Sequence, residues 1–365
     1  MTTRKGRSPI GIDLQHNGAK LVQLAYGKGG PALAAHASVP FDDSLLQIED
    51  RRPQTVIDAL KRAIGKGGFK GSAAIVALPP RKVDVRTLTL PGADSDLEKV
   101  LRWEGESYLH YAVDKACIDH VKLGEVSVGN EKRTEVLVAA AFRPYVIALL
   151  ELLDAAGIRA EVVDIAPMAL CRMGSAVNHE GGTISITDIG RSASMTVIID
   201  KGSIRLTRIT ARGGDEFTAK IKNSLEISHD EAELLKIEYG IGTPSQGAAF
   251  GADRELVTKT EIAGTIHEIL RPDIDEFAAE LQKLFRYFST QTKGAQVTHS
   301  YLCGGGSLLK GLADNLTGRT GTKIETLPPL DTLFPNGKGK GSASSCGPEY
   351  AVAAGLALRE EEERS

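Results

Sequence analysis

Short apolar runs ended by tight polar turns open each half of the chain, and helical periodicity fills the intervals between them. Ile10-Gly11-Ile12-Asp13-Leu14 is a short apolar strand, Asn17-Gly18 is a two-residue hairpin signal, and a second strand runs from Ala19 to Leu24. A third strand is predicted around Ala32 to Val39. The N-terminus therefore reads as a β-meander with an aspartate at the end of its first strand. The arrangement returns at Thr183 to Ile199. Ile184, Ile186 and Ile189 lead in, Met195, Val197, Ile198 and Ile199 lead out, and Asp188 to Ser194 makes the bend. A third strand follows there too, Gly202 to Thr210.

Between the meanders, the spacing predicts a helix over Thr55 to Ile64, a buried strand over Ala73 to Leu78, and then a change of texture. Residues 83 to about 153 read β-α-β-β-α: Val85 to Leu90, a charged helix Asp94 to Tyr111 with the only Trp, Trp103, strands Cys117 to Leu123 and Glu135 to Ala141, and an amphipathic helix from Arg143. A strand at Ala160 to Ile165 and a helix to about Met173, with Pro167 in its first turn, complete the half. In the second half, helices are predicted over Glu216 to Leu225, over Ser228 to Tyr239 behind a Ser228/Glu231 capping box, and over Ile274 to Gln291. Val297 to Leu302 is a strand running into Gly304-Gly305-Gly306-Ser307, with a helix from Leu308. Residues 328–345 read as a loose loop, and Tyr350 to Leu358 as a small-residue helix. The expected domains are 9–170, with 80–153 inserted and the helix of 347–359 packing back onto it, and 181–335. Residues 1–8 and 360–365 are expected as flexible tails.

Composition narrows the chemistry. The chain has 365 residues, 42% hydrophobic and 25% charged, which suits a folded protein with two cores. A net charge of −3 with no basic face argues against a nucleic-acid partner. The four cysteines form no CxxC and read as reduced thiols of a cytoplasmic protein. No apolar run approaches the roughly 18 residues of a membrane span, so membrane association is expected only through partners. The Lys-Gly repeats lack the GK[ST] of a P-loop, no HExxH or GxSxG is present, and His267-Glu268 reads as helix surface.

What remains is an anion-binding pattern. A carboxylate at a strand end, followed by Gly and small hydroxyl residues, suits a phosphate on backbone N–H groups and a Mg²⁺ held through water. Taken alone, Thr183 to Ile199 reads equally as an ordinary hairpin. The device is used twice, however, and Gly213-Gly214 and Gly304 to Gly306 each lie just before a helix, where N-termini favour anions.

With these residues in place the sequence resembles the actin-like ATPase superfamily. GIDLQHNGAK looks like its first phosphate hairpin and TDIGRSAS its second; CGGGSLLKGL looks like its adenosine motif, and VVDIAPMAL and YAVAAGLAL its connecting helices. The resemblance implies a ribonuclease H-like, duplicated two-domain α/β fold with an inserted α+β subdomain, and a nucleotide between the halves. It implies ATP and Mg²⁺ as cofactors, with Asp13 and Asp188 toward the metal. Lys20, Gly190, Ser192 and Ser194 fall toward phosphate, Asn17, Gly18, Gly213 and Gly214 toward the nucleotide, Glu233 and Lys236 bracket adenine and ribose, and Gly304, Gly305 and Gly306 face adenosine. Asp164 falls where the family often polarises water. Over residues 9–359, including ALPPRKVDVRTLTLPGADSDLEKV of the inserted unit, the chain is similar to the type IV pilus assembly protein PilM family. That implies a cytoplasmic ATP-binding scaffold, at most a weak ATPase. It also implies, as partner, the N-terminal peptide of a PilN-like inner-membrane protein, which the scaffold would link to pilus motor ATPases. One departure stands out: the family's first hairpin has Gly and then Ser or Thr after the Asp, whereas Gln15, His16 and Asn17 stand here. Gln15 puts a side chain where backbone meets phosphate, which predicts weakened or altered binding there. A small-molecule kinase and a polymerising cytoskeletal ATPase like FtsA are the alternatives. The first lacks a second Asp base, and the second lacks an amphipathic terminal helix.

Overall fold

Both aspartate-ended strands lie at the centre of a sheet, and the two sheets share one strand order. The computed structural model describes residues 6–15, 18–41, 53–91, 107, 109–128, 131–178, 181–241, 254–292, 294–335 and 346–359. The chain divides into two compact units. One takes Met1–Val177, Gly202–Thr207 and Pro329–Ser365, the other Asn178–Lys201 and Arg208–Pro328.

In the first unit, β1 (Gly6–Arg7), β2 (Ile10–Gln15), β3 (Gly18–Gly27) and β4 (Gly30–Pro40) form the meander; α1 (Gln54–Lys66), β5 (Ala73–Ala77) and β9 (Arg159–Asp164) complete the layer. The order is β4-β3-β2-β5-β9, with β5 and β9 parallel and β1 on the edge of β3. Inserted after β5 is a three-stranded sheet, β6 (Val83–Pro91), β8 (Glu131–Phe142) and β7 (Ala116–Val128), followed by α2 (Arg143–Ala155). The helix expected over Asp94 to Tyr111, with Trp103, lies almost wholly outside the described residues. Ile10, Ile12 and Leu14 are buried with Leu60, Tyr145 and Leu149 in one core, the amphipathic faces of α1 and α2 closing it.

The other side of β2 is closed by α9 (Ala351–Ala357), which packs on β2 and on α3 (Ala166–Val177). Its run of small residues is a consequence of this approach. A Cβ on Gly11 would lie 2.0 Å from the Ala353 carbonyl oxygen, and one on Gly355 2.0 Å from that of Ala169. Alanine at a solvent-facing helical position is worth up to about 1 kcal/mol over glycine. Gly355→Ala is nevertheless expected to lower stability by about 1–3 kcal/mol, because backbone must move to admit the methyl. Circular-dichroism melting, read as a fall of several degrees, checks it.

In the second unit, β10 (Ile184–Ile189) and β11 (Ser194–Asp200) form the hairpin, β12 (Ser203–Thr210), of which only Arg208–Thr210 are assigned to this unit, follows, and β13 (His299–Cys303) and β14 (Lys323–Thr326) run parallel to β10. The order β12-β11-β10-β13-β14 repeats that of the first sheet. Helices α4 (Gly214–Leu225), α5 (His229–Tyr239), α6 (Arg254–Gln291) and α7 (Leu312–Thr320) cover it, with Phe217, Ile221, Leu270, Phe277 and Leu281 in its core.

Four expectations change. α6 begins well before Ile274 and carries Pro272 in its interior. Proline removes one N–H bond there, but the buried stripe Ile266, Leu270, Ile274, Phe277, Leu281 runs straight through it at helical spacing, so burial outweighs the lost bond. The glycine-rich segment after β13 first makes a 3₁₀ turn, Gly305–Leu308; the α-helix waits until Leu312, after Gly311 at φ 79°. Residues 6–8, expected within a flexible tail, are ordered: β1 pairs with β3, and the buried Ser8 hydroxyl accepts from the Leu24 amide. Residues 329–335, expected with the second domain, belong to the first unit, where the Leu33 amide donates to the Phe334 carbonyl. A short helix α8 (Leu330–Leu333) lies there. Among the described residues no helix is long and apolar enough to cross a membrane.

Candidate functional site

Parallel strands of one sheet end at one level, so β10 and β13 deliver their terminal residues side by side. Asp188 pairs in register with Cys303, which places Gly304 against the aspartate. A Cβ on Gly304 would sit 2.2 Å from Asp188 Oδ1 and 2.6 Å from the Ile189 carbonyl oxygen, and its φ of 79° is one that glycine alone adopts without strain. Gly306 likewise abuts the Ile189 side chain, with Cγ2 2.3 Å from where a Cβ would be. Ser307 donates to the Gly304 carbonyl at 2.7 Å and fixes the turn. On the side of Gly305 where a Cβ would project, nothing lies within 4 Å, so the backbone can be approached there.

The second glycine pair meets the same hairpin. The Gly214 amide donates to Gly190 (3.0 Å) and the Asp215 amide to Arg191 (2.8 Å); a Cβ on Gly213 would stand 2.5 Å from the Arg191 carbonyl oxygen. Gly213 is glycine for closeness, not for φ. Two expected phosphate ligands have other work. The Ser194 hydroxyl is buried and donates to the Arg212 carbonyl at 2.5 Å, and the Gly190 amide closes the turn onto the Ala193 carbonyl at 3.0 Å. Strand alternation sends Ser194 inward, so it braces the cradle without facing solvent. Ser192 remains exposed at the tip.

Behind the Gly213-Gly214 turn, α4 and α5 meet through a polar knot. Lys236 Nζ donates to Glu233 (2.7 Å), to the Thr218 hydroxyl (2.8 Å) and to the Gly214 carbonyl (3.2 Å). Thr218 lies 2.5 Å from the Glu233 carboxylate. Burial pushes the Glu233 carboxyl up, but the bonds from Lys236 and Thr218 outweigh it and hold it below its usual range. The Glu-x-x-Lys spacing and the Gly-Gly turn, far apart in sequence, are thus one structure. Thr218 and Arg212 were missed by sequence reading. Arg212, four residues before Glu216, also gathers Glu276 (2.9 Å) from α6, a pairing that no local pattern signals.

The first hairpin holds Asp13 opposite Lys20 and Gln15 opposite Gly18. Gly18 fits closely, with the Val39 carbonyl oxygen 3.0 Å from where a Cβ would be; Asn17 and His16 lie outside the described residues. Gln15 Nε2 donates to Asp13 Oδ2 at 3.1 Å, so the side chain expected to disturb a phosphate contact is bound to the carboxylate. Burial raises the Asp13 pKa to about 6, with the Gln15 bond and Lys20 acting the other way. The folded state therefore holds this proton when the unfolded chain has lost it, and Asp13 costs stability as pH rises from about 4 through 6. Asp13→Asn is expected to stabilise the protein by about 2–3 kcal/mol at pH 8. Urea melts at pH 8 and pH 4 check this, the gain vanishing at the lower pH.

Asp164, expected to polarise water, is engaged in internal bonds. It is buried, with Oδ2 accepting from Arg172 (3.0 Å) and Arg359 (2.8 Å) and Oδ1 from the Ile165 amide (2.7 Å). The carboxylate joins the end of β9, α3 and the chain after α9. An i,i+8 arginine on the following helix is a faint sequence signal for the first pairing, and the second has none.

A nucleotide with a divalent cation suits these groups. Mg²⁺ is bound through one or two carboxylates together with substrate phosphates and water. Among the described residues no cluster of three or more His, Cys, Asp or Glu could hold a metal by itself, and a phosphate-carried cation needs none. The second unit alone brings together Asp188, Gly213-Gly214, Gly304 to Gly306 and the Glu233/Lys236 pair.

Two α/β halves with one strand order, each opened by an aspartate-ended hairpin, define the actin-like fold, the two-domain architecture of this protein. The model of the type IV pilus assembly protein PilM family matches residues 11–246 and 259–361, and the chain belongs to that family. It is similar to a chain of a PilM-PilN type IV pilus biogenesis complex, at 26% identity and a TM-score of 0.76 over 96% of this chain and 98% of that one. MreB 5 of Spiroplasma citri bound to AMPPNP shares the fold, with 12% identity and a TM-score of 0.50 over 99% and 98% of the two chains. The cell division protein FtsA of Streptococcus pneumoniae is 25% identical over 189 residues, 50% of this chain and only 40% of that protein.

Proposed function

We propose that this chain binds Mg-ATP and works as a cytoplasmic scaffold of a type IV pilus or related secretion machine. In this reading it captures the N-terminal peptide of a PilN-like inner-membrane protein and connects that protein to the assembly motor, reaching the membrane only through partners. The observation that carries the nucleotide half is the convergence of Asp188, both glycine clusters and the Glu233/Lys236 knot in one unit. Ser192 and the Gly305 backbone offer contacts to phosphate and ribose, and Asp13, Gly18 and Lys20 of the first hairpin are read as cation and phosphate ligands. Support for the peptide half comes from family membership and from the PilM-PilN complex, in which a similar chain is assembled with PilN. Capture of an extended peptide along a groove or strand edge is a common mode for such a scaffold.

Calorimetry on the full chain tests both halves. Mg-ATP is expected to bind saturably. A synthetic N-terminal peptide of the cognate membrane protein is expected to bind with an affinity that differs with and without nucleotide. Heat from neither titration would refute the proposal, and peptide binding without ATP binding would leave only its scaffold half.

A further inference from the structure

Lys20 stands in a cross-strand row: its register partners are Asp13 on β2 and Ser38 on β4, so one ammonium lies between a buried carboxylate and a hydroxyl. Electrostatics alone would send it to Asp13. It goes the other way. Lys20 Nζ donates to Ser38 Oγ at 2.9 Å and sits 4.9 Å from the centre of the Tyr350 ring, on its face. The ring is buried at the N-terminal end of α9, its hydroxyl bonded to Ser38, and it forms a T-shaped pair with His36 at 5.3 Å. A ring locked on three sides offers a fixed cation–π surface, and the flexible lysine loses little further freedom on meeting a ligand.

We propose that Tyr350 and Ser38 are positioning residues of the nucleotide site: they hold the Lys20 ammonium off Asp13, so that the amine remains available to a phosphate and the carboxylate to a cation. This rests on the Mg-ATP reading above. Without the cradle the two charges collapse into a pair that satisfies both and binds nothing else. The C-terminal segment of the chain is thereby a working part of the first phosphate hairpin, through a tyrosine that no hairpin motif contains.

Calorimetry of Mg-ATP binding to the full chain tests this as a double-mutant cycle. Tyr350→Leu is expected to weaken ATP about tenfold, and Tyr350→Phe, which keeps the ring, to recover most of that loss. Lys20→Met is expected to weaken ATP by at least about tenfold, and adding Tyr350→Leu to it is expected to cost nothing more, because the ring acts only through the amine. A merely structural tyrosine would lower affinity equally in both backgrounds. Equal losses there, or wild-type affinity in a folded Tyr350→Leu variant, would overturn the assignment while leaving the Mg-ATP reading intact. If Tyr350→Leu fails to fold, the exposed Ser38→Ala decides. A loss of about threefold that disappears in the Lys20→Met background supports the cradle, and unchanged affinity overturns it. Absence of ATP binding by the wild-type chain would remove the nucleotide reading and this inference together.

Discussion

Asp188→Ala is expected to abolish Mg-ATP binding, by a factor of at least about 100 in affinity, while the protein stays folded; this is the largest functional effect expected of any single substitution here. Asp188 is the carboxylate against which Gly304 is packed, and it lies near the end of the strand that carries the second hairpin. The hairpin itself is held by others. Gly190 closes it, Ser194 braces it from below, and the Gly214 and Asp215 amides tie the neighbouring loop to its carbonyls. Removing a carboxylate of intermediate exposure from that frame leaves the frame standing. Calorimetry beside a thermal melt separates the two effects, and an unchanged ATP affinity in the variant would remove the proposed site.

The second large effect is on stability. Asp164→Ala is expected to cost about 3–5 kcal/mol, the range for removing one partner from a buried ionic group. Arg172 and Arg359 both donate to the same oxygen, and their side chains are only 10% and 17% exposed. Removing the carboxylate leaves two guanidinium groups side by side with their shared counter-charge gone. Arg359→Met is expected to cost far less, since Asp164 keeps Arg172. Guanidinium denaturation of both variants checks the ranking. The comparison also bears on chemistry. A carboxylate that polarised water would change turnover and spare stability when replaced, whereas one that ties the end of β9 to α3 and to the chain beyond α9 does the opposite. A near-native melt for Asp164→Ala would contradict the structural role.

The Asp13→Asn prediction belongs with these two. A buried aspartate whose ionisation costs stability is a poor choice for a purely structural hairpin, since asparagine of the same shape would serve better. The bond from Gln15 Nε2, at 3.1 Å, offsets part of that cost. Gln15 thus acts as an internal hydrogen-bond partner of the carboxylate.

Local pattern alone determined the two meanders, the inserted β-β-β-α elements, the capping box at Ser228, and the positions of both aspartates and both glycine clusters. Each of these is written in period-two or period-3.6 burial, or in a turn that only certain residues make, and such signals lie within a few residues of one another. The repetition of the hairpin was also legible, and with it the duplicated fold. What only tertiary structure decided was the use made of each side chain. Asp164 and Ser194 carry the residue types of a site and are spent on internal bonds, because which carbonyl or guanidinium faces them depends on chain many residues away. Pro272 is tolerated in α6 because the core on one face of that helix is continuous, which no window around the proline reveals. Lys20 lies beside Asp13 by strand register, yet its ammonium is drawn to Tyr350, which arrives from the far end of the chain. Sequence determines where a charged group can stand; the partner that claims it is set by contacts of long sequence separation, which leave no periodic trace.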